Sequence, residues 1–319
     1  MLKRTVAWCV ALLLSSITIF TTGLAVNGQS SSGDPRVFLT GFVVQGEFLR
    51  FFERHGEIEI FGYPLTVEFE EAGQRVQYFH RGRMELLPDN PPGQRVALAR
   101  LGELLITPEP AIPRPETRPD RRFFAETGHT VASAFLRYFE SRGGVELFGY
   151  PITEMKVENG RIVQYFQRAR LEWHPDSPPG LQVQLGKLGE IYLDQFPPPP
   201  EVRDPASNGN RRVVPPKVTS LNVVASVRYP YAGQNEPQAL YVFVYDQDGN
   251  PVPGAQVRAV IHSPEGEHEI LLAETNELGL SWQTFEVGQV PMGKKVAVEA
   301  LASYGGVEGE TRTSFVVWL

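Results

Sequence analysis

Apolar and polar positions alternate along this chain with two periods, one helical and one of strands. Over 48–54, Phe48, Leu49, Phe51 and Phe52 gather largely on one helical face, while Arg50, Glu53 and Arg54 occupy polar positions. This predicts a short amphipathic helix, stopped by Gly56. Phe61-Gly62-Tyr63-Pro64 then predicts a rigid turn carrying two aromatic side chains into or beside the core. Strands are expected over 66–70 and 75–79 around a glycine-containing turn, with a third over 83–87 ended by a proline-rich turn at 88–93. Val96, Leu98, Leu101 and Leu104 are expected to return to the same core.

The whole pattern recurs. Residues 48–105 align without a gap to 135–192 at a constant offset of 87, with 31 of 58 positions identical. An ancestral module has therefore been duplicated, and positions held fixed between the copies become informative. The second aromatic turn is Phe148-Gly149-Tyr150-Pro151, and Thr40-Gly41 recurs as Thr127-Gly128. The modules are expected at 36–106 and 122–194, separated by a proline-rich spacer at 107–121 and followed by a proline-rich linker at 195–218.

Beyond the linker, over 219–319, the pattern changes to strand alternation. Val223, Ala225, Val227 and Tyr229 alternate, as do Tyr241, Phe243 and Tyr245 before Asp246-Gln247-Asp248-Gly249-Asn250. Further strands are expected at Val257 to Ile261 and over 269–274, 280–285, 295–303 and 311–318. The fold class read from the pattern is multidomain, with two small α+β repeat modules followed by an all-β immunoglobulin-like sandwich.

Several of these residues carry a resemblance. Glu126-Thr127-Gly128-His129, Phe148-Gly149-Tyr150-Pro151-Ile152-Thr153-Glu154, Val163-Gln164-Tyr165-Phe166 and Arg168-Ala169-Arg170-Leu171-Glu172 resemble a repeat common in secreted proteins of Chloroflexi-type bacteria. In layout the modules are similar, more distantly, to LGFP cell-wall repeats, although Tyr63 and Tyr150 stand where those have phenylalanine and the spacing is longer. The resemblance implies an extracellular setting and, through the cell-wall repeats, a surface polymer as partner. The stretch 241–317 resembles bacterial Ig-like and carboxypeptidase-regulatory-like domains, which act as spacers, adhesins or accessories.

At the amino end, Lys3 and Arg4 precede an apolar run from Val6 to Phe20 and the small residues Gly23 and Ala25, which predicts a signal peptide over 1–25 and a secreted or cell-surface protein. A membrane is expected as partner only if that segment stays uncleaved. Cys9, the single cysteine, lies inside it, so the mature chain would have no disulfide and no thiolate. Losing Lys3 and Arg4 takes the formal charge from −7 to −9, which argues against nucleic acid as the main partner. The basic pairs Arg121-Arg122 and Arg211-Arg212 read as solvated linker.

No reaction is legible. The six histidines form no metalloprotease helix motif, and none is fixed between the copies. Asp246, Asp248 and Asn250 begin like a calcium loop, but Pro251 stands where that loop needs glycine, and such residues are ordinary turn formers. No catalytic residue, metal or cofactor is expected. Arg81, Arg83 and Glu85, with Arg168, Arg170 and Glu172, are expected on one strand face, as an ion-pair ladder or as the wall of a polar groove. Such a groove would join Tyr63, Gln77, Tyr78 and Arg83, and equivalently Tyr150, Gln164, Tyr165 and Arg170, offering rings and donors to a sugar or peptide.

The expected function is that of an exported, non-catalytic envelope or extracellular protein, with cell-wall polysaccharide or an envelope protein as partner. The alternatives are a passive structural spacer or assembly module, and a hydrolase accessory protein or enzyme. Exposed Tyr and Arg side chains would favour polymer binding. Buried rings, with the arginines paired to Glu85 and Glu172, would favour the structural role.

Overall fold

In the first module, the amphipathic stretch forms α1 (Gly46–Arg54) and the residues after Gly56 a short α2 (Glu57–Phe61). They follow two short paired strands, β1 (Arg36–Val37) and β2 (Val43–Val44). An antiparallel four-stranded sheet comes next: β3 (Phe69–Glu71), β4 (Gln74–Phe79), β5 (Gly82–Leu86) and β6 (Val96–Leu98), in chain order across the sheet. A last short helix, α3 (Leu101–Leu105), closes the module. The coordinates are a computed structural model describing residues 35–207, 214–264 and 266–318. The expected signal segment and Arg211-Arg212 lie outside the described residues.

The second module repeats this order: β7 (Arg121–Phe124), β8 (His129–Ala132), α4 (Ser133–Ser141), α5 (Gly144–Phe148), β9 (Lys156–Glu158), β10 (Arg161–Tyr165), β11 (Arg170–Trp173), β12 (Val183–Leu185) and α6 (Leu188–Gln195). Both copies of the first strand of the sheet start later than the pattern predicts. In the first module the reason is that Val67 gives its N–H to the Val202 carbonyl at 2.8 Å instead of to the neighbouring strand. Gly62 and Gly149, at φ 72° and 76°, sit where any Cβ would strike the side chain of residue 80 or 167, which accounts for glycine in both aromatic turns.

One apolar core runs through both modules. Phe52, Phe61, Phe79 and Met84 of the first join Phe139, Phe148, Phe166 and Leu171 of the second, all essentially without solvent exposure. Each fully buried ring of this kind contributes about 1.5–3 kcal/mol relative to exposure. Arg142 of the second module adds an ion pair to Glu59 of the first at 2.6 Å.

The closing helices are exchanged between the modules. Leu101 and Leu105 of α3 pack with Ile152, Val163 and Tyr165 of the second module, while Leu193 of α6 packs with Val76 and Tyr78 of the first. The exchange is reciprocal at backbone level: Gly102 N–H donates to the Gln167 carbonyl at 3.0 Å and Glu190 N–H to the His80 carbonyl at 3.1 Å. A Cβ on Gly102 or Gly189 would collide with the carbonyl oxygen of Phe166 or Phe79, so both helices need glycine at that place. The expectation that Leu101 and Leu104 return to their own core is corrected accordingly. Leu101 is buried against the other copy and Leu104 is 54% exposed.

The linkers follow the exchange. Glu109 N–H donates to the Ile152 carbonyl and Ile112 N–H to the Gly128 carbonyl, both at 2.9 Å, fastening the 107–121 segment to the second module. Val202, from a 3-10 turn at Pro200–Arg203, packs with Phe42 and Val67 of the first.

The C-terminal region is all β. One sheet holds β13 (Asn222–Val227), β15 (Pro237–Tyr245) and β18 (Leu280–Glu286); the other holds β14 (Tyr231–Ala232), β20 (Val307–Val317), β19 (Lys295–Tyr304), β16 (Gln256–Ser263) and β17 (Gly266–Leu271), in that order. Val223, Leu240, Val242 and Val244 of the first sheet meet Ala259, Ile261, Val298, Ala300 and Phe315 of the second in one core. The short β14 was not legible in the pattern; it pairs parallel to β20 through two residues. The architecture is thus multidomain, with mixed α+β modules and a β-rich region, and the described residues together form one compact unit.

Candidate docking site

The duplicated polar residues split into two groups on different sides of each module. In the first group, Arg83 donates to Glu71 at 2.6 Å, to Glu85 at 2.6 Å and to the Tyr78 hydroxyl at 3.0 Å, while Tyr78 donates to Glu71 at 2.8 Å. The copy is the same: Arg170 reaches Glu158, Glu172 and the Tyr165 hydroxyl, and Tyr165 donates to Glu158 at 2.9 Å. Tyr78 stacks on Tyr192 of the exchanged α6 at 5.9 Å, with Arg83 over both rings. Burial pushes the Tyr78 and Tyr165 hydroxyls above their ordinary range, and burial also raises Tyr63.

Gln77 and Gln164 are fully buried braces. Each side-chain amide donates to two carbonyls, Val43 and Thr66 at 2.8 and 3.0 Å, or Thr130 and Thr153 at 2.6 and 2.8 Å. Tyr63 belongs to the shared core and Tyr78 to the cluster beneath α6, so the structure does not bring Tyr63 together with Arg83. Tyr150 is half-buried against Phe124 at 6.0 Å. Of the eight residues expected in paired grooves, Gln77, Tyr78 and Arg83, with Gln164, Tyr165 and Arg170, serve internal networks in both copies.

The second group forms a built contact in the first module. Arg81 is not on the strand face with Arg83 and Glu85, as alternation predicts, because it lies in the turn between β4 and β5. It is 6% exposed there, and its guanidinium donates to the Ile58 carbonyl at 3.1 Å, the Leu185 carbonyl at 3.2 Å and Glu277 at 3.2 Å. Glu277 comes from the C-terminal region, on the turn before β18, and also meets Lys187 at 3.3 Å. Burial alone would raise the Glu277 carboxyl, but Arg81, a backbone N–H, Lys187 and His80 outweigh it and hold the group below its ordinary range. Beside this pair, Tyr63 donates its hydroxyl to the Pro251 carbonyl at 2.7 Å, and Arg36 reaches Asn250 at 2.7 Å. The turns before Pro251 and around Glu277 therefore seat the β region on the first module.

The same turn explains the acidic Asx cluster. Asp246 Oδ1 accepts the backbone N–H groups of Asp248 and Asn250 at 2.9 and 2.8 Å, and its carboxylate also takes the Asn250 amide. These are the bonds of an Asx turn that presents Asn250 and Pro251 to the module. Among the described residues, no group of three His, Cys, Asp or Glu side chains is placed to hold a metal ion.

Glu277, Lys187 and Pro251 were missed by sequence reasoning. Arg81 is legible in the sequence, but alternation puts it on the wrong face. The usable signals were the arginine fixed at 81 and 168 and the Asn276-to-Gly279 turn.

No protein-family model matches the chain, and no curated protein matches it. Among solved structures it is similar to a DUF4785 family protein from Legionella pneumophila, with 14% identity over 32% of this chain and 30% of that one, at a TM-score of 0.26. It is similar to the sporulation control protein Spo0M from Bacillus subtilis, at 14% identity over 32% and 51% of the two chains and a TM-score of 0.23. A third is the CARDB domain of a Pyrococcus furiosus protein, solved in complex with di-metal ions, at 14% identity over 34% and 97% and a TM-score of 0.23. The chain thus spans less than a third of the Legionella protein and about half of Spo0M. Likeness at this level is partial and assigns no activity.

Proposed function

We propose that this chain is an exported, non-catalytic protein-assembly component, in which the duplicated modules form a rigid clamp that seats an immunoglobulin-like β-sandwich. One observation carries the reading: the fixed Tyr and Arg of the first module, Tyr63 and Arg81, hold the chain's own β region through the Pro251 carbonyl and Glu277. A motif already used to grip protein is better suited to protein than to sugar. The buried rings, and the pairing of Arg83 and Arg170 with acids on their own sheets, support the structural role over an open polymer groove.

The strand order of the C-terminal region supports the sandwich. Three strands, β13, β15 and β18, oppose β20, β19, β16 and β17, with β14 crossing to pair parallel to β20, the arrangement of immunoglobulin-like domains. Export rests on the expected signal segment at 1–25.

The test is sedimentation of the purified protein with native cell walls and insoluble polysaccharides. The expected result is protein left in the supernatant. Saturable pelleting that survives salt would overturn the assembly reading in favour of a polymer-binding one.

A further inference from the structure

The duplication copied the receptor for Glu277 as well as the modules. At the offset of 87, Arg81 corresponds to Arg168, Lys187 to Arg100, Ile58 to Val145 and Glu190 to Glu103. The correspondence is geometric too. Arg168 donates to the Val145 carbonyl at 3.4 Å, as Arg81 does to Ile58, and Arg100 stands on Glu103 at 3.4 Å, as Lys187 stands on Glu190 at 3.6 Å. Because α3 and α6 are exchanged, each receptor takes its arginine from one module and its second cation from the other.

Only the first receptor is filled by an acid from the β region. Arg81 has Glu277 as its carboxylate partner; Arg168 has the Val145 and Glu146 carbonyls, and its Nε is buried with no hydrogen-bond partner among the described residues. The two acids of this neighbourhood are already engaged: Gln167 donates to Glu103 at 2.8 Å and Arg100 stands on it at 3.4 Å, while Glu85 pairs with Arg83 at 2.6 Å. An open groove of about 460 Å³ lies over the pair, lined by Arg100, Glu103, Leu104, Arg168, Arg83 and Glu85. Leu104, 54% exposed, supplies an apolar edge. Burial, with Arg100 beside it, lowers the Arg168 guanidinium more than Glu103 and Glu85 raise it, and burial likewise lowers Arg81, so the two receptors differ in the acid they hold and not in the sense of this shift.

We propose that the Arg100–Arg168 groove is a docking site for a glutamate-bearing β-turn of a partner protein, received as the Glu277 turn is received by Lys187 and Arg81. The partner is a foreign one because each copy's own Glu277 is already engaged. This rests on the assembly reading, and names what the assembly holds.

The experiment titrates the purified protein with a backbone-cyclised peptide reproducing residues 273–280, followed by calorimetry and by the NMR signal of the Arg168 Nε–H. Saturable one-to-one binding is expected. It should weaken by about tenfold or more in Arg168→Gln, in Arg100→Gln, and when the peptide carries Gln in place of Glu277, and it should fall with salt. Should Arg168→Gln fail to fold, Arg100→Gln decides, since Arg100 is a surface side chain 58% exposed. Absent binding, or binding unchanged in a folded variant, as displacement of the native turn from Arg81 would give, overturns the proposal. Concentration-dependent dimerisation abolished by Glu277→Gln would assign the groove to a second copy and overturn the foreign partner. A failed titration leaves the polysaccharide result standing, whereas pelleting with cell walls would sink the assembly reading even if the peptide bound.

Discussion

The two modules carry the same recognition residues in different surroundings. In the first, Tyr63 is 2% exposed with its hydroxyl on Pro251, and Arg81 is 6% exposed with Glu277 on its guanidinium. In the second, Tyr150 and Arg168 are half-buried, and among the described residues neither has a hydrogen bond or ion pair to the β region. Identical chemistry is structural in one copy and available in the other. The teaching is that duplication fixed the receptor while the single β region could fill only one of its two versions.

The comparison is broken most completely by removing the exchange that builds both receptors. Gly102→Ala or Gly189→Ala forces a methyl group into the carbonyl oxygen of Phe166 or Phe79, at a backbone contact that cannot yield as a side chain would. Overpacking of this kind costs roughly 1–3 kcal/mol and occasionally more. We expect either variant to lose at least the upper end of that range, read from urea unfolding. Loss in one variant only would mean that the two helices are not equivalently seated.

Next in size is the arginine pair itself. Arg81→Met strands Glu277 in a site where only 15% of its side chain meets solvent, and removal of one partner from a buried ion pair costs about 3–5 kcal/mol. Lys187 stays within reach of Glu277, so the expected loss lies near the lower bound. Arg168→Met leaves no acid stranded in this way and should cost roughly 1 kcal/mol or less. Equal losses in urea unfolding would remove the asymmetry. A double-mutant cycle with Glu277→Gln should show coupling to Arg81 and none to Arg168.

The duplication, the order of elements and the β character of the C-terminal region were legible in the sequence, because each rests on local periodicity. The partners of those elements were not. Leu101 and Leu188 announce burial, but two nearly identical sheets were available to each, and periodicity does not say which copy covers which. The one local sign was Gly102 and Gly189, glycines kept in both copies inside helices, where glycine is unfavourable unless another backbone comes close. The candidate groove failed for a related reason. Tyr63 and Arg83 stand on neighbouring elements, yet the former enters the shared core while the latter lies under the exchanged Tyr192, and nothing in their spacing distinguishes the two faces.

A smaller effect separates the ion networks by pH. Burial would raise the Glu172 carboxyl, but the hydrogen bond with His174 and the charge of Arg170 overcome it, holding the group at about 2 instead of the ordinary 4.5. Arg161, at 3.4 Å, faces it from β10. The folded state therefore binds fewer protons than the unfolded one in this window. The contribution is full above 4.5 and is lost as pH falls toward about 2. Urea unfolding across that range should show a steeper acid loss in the native protein than in Glu172→Gln.

The smallest expected difference tests the comparison atom by atom. Tyr63→Phe keeps the ring against Phe38 and removes one hydroxyl, leaving the Pro251 carbonyl without its donor. An unsatisfied buried acceptor of this kind costs about 1–3 kcal/mol, whereas a neutral hydrogen bond contributes about 1 kcal/mol net, so a loss near 1 kcal/mol is expected if water reaches the carbonyl. Tyr150→Phe keeps the ring against Phe124 and removes a hydroxyl without a hydrogen-bond partner among the described residues, so a change within about 0.5 kcal/mol is expected. Neither substitution should change the affinity for the acidic-turn peptide, because Tyr150 is not among the residues lining the Arg100–Arg168 groove and Tyr63 lies in the first module's contact. If Tyr150→Phe instead weakens the peptide, the second receptor reaches the aromatic turn as the first does through Tyr63, and the likeness between the modules extends beyond their cations.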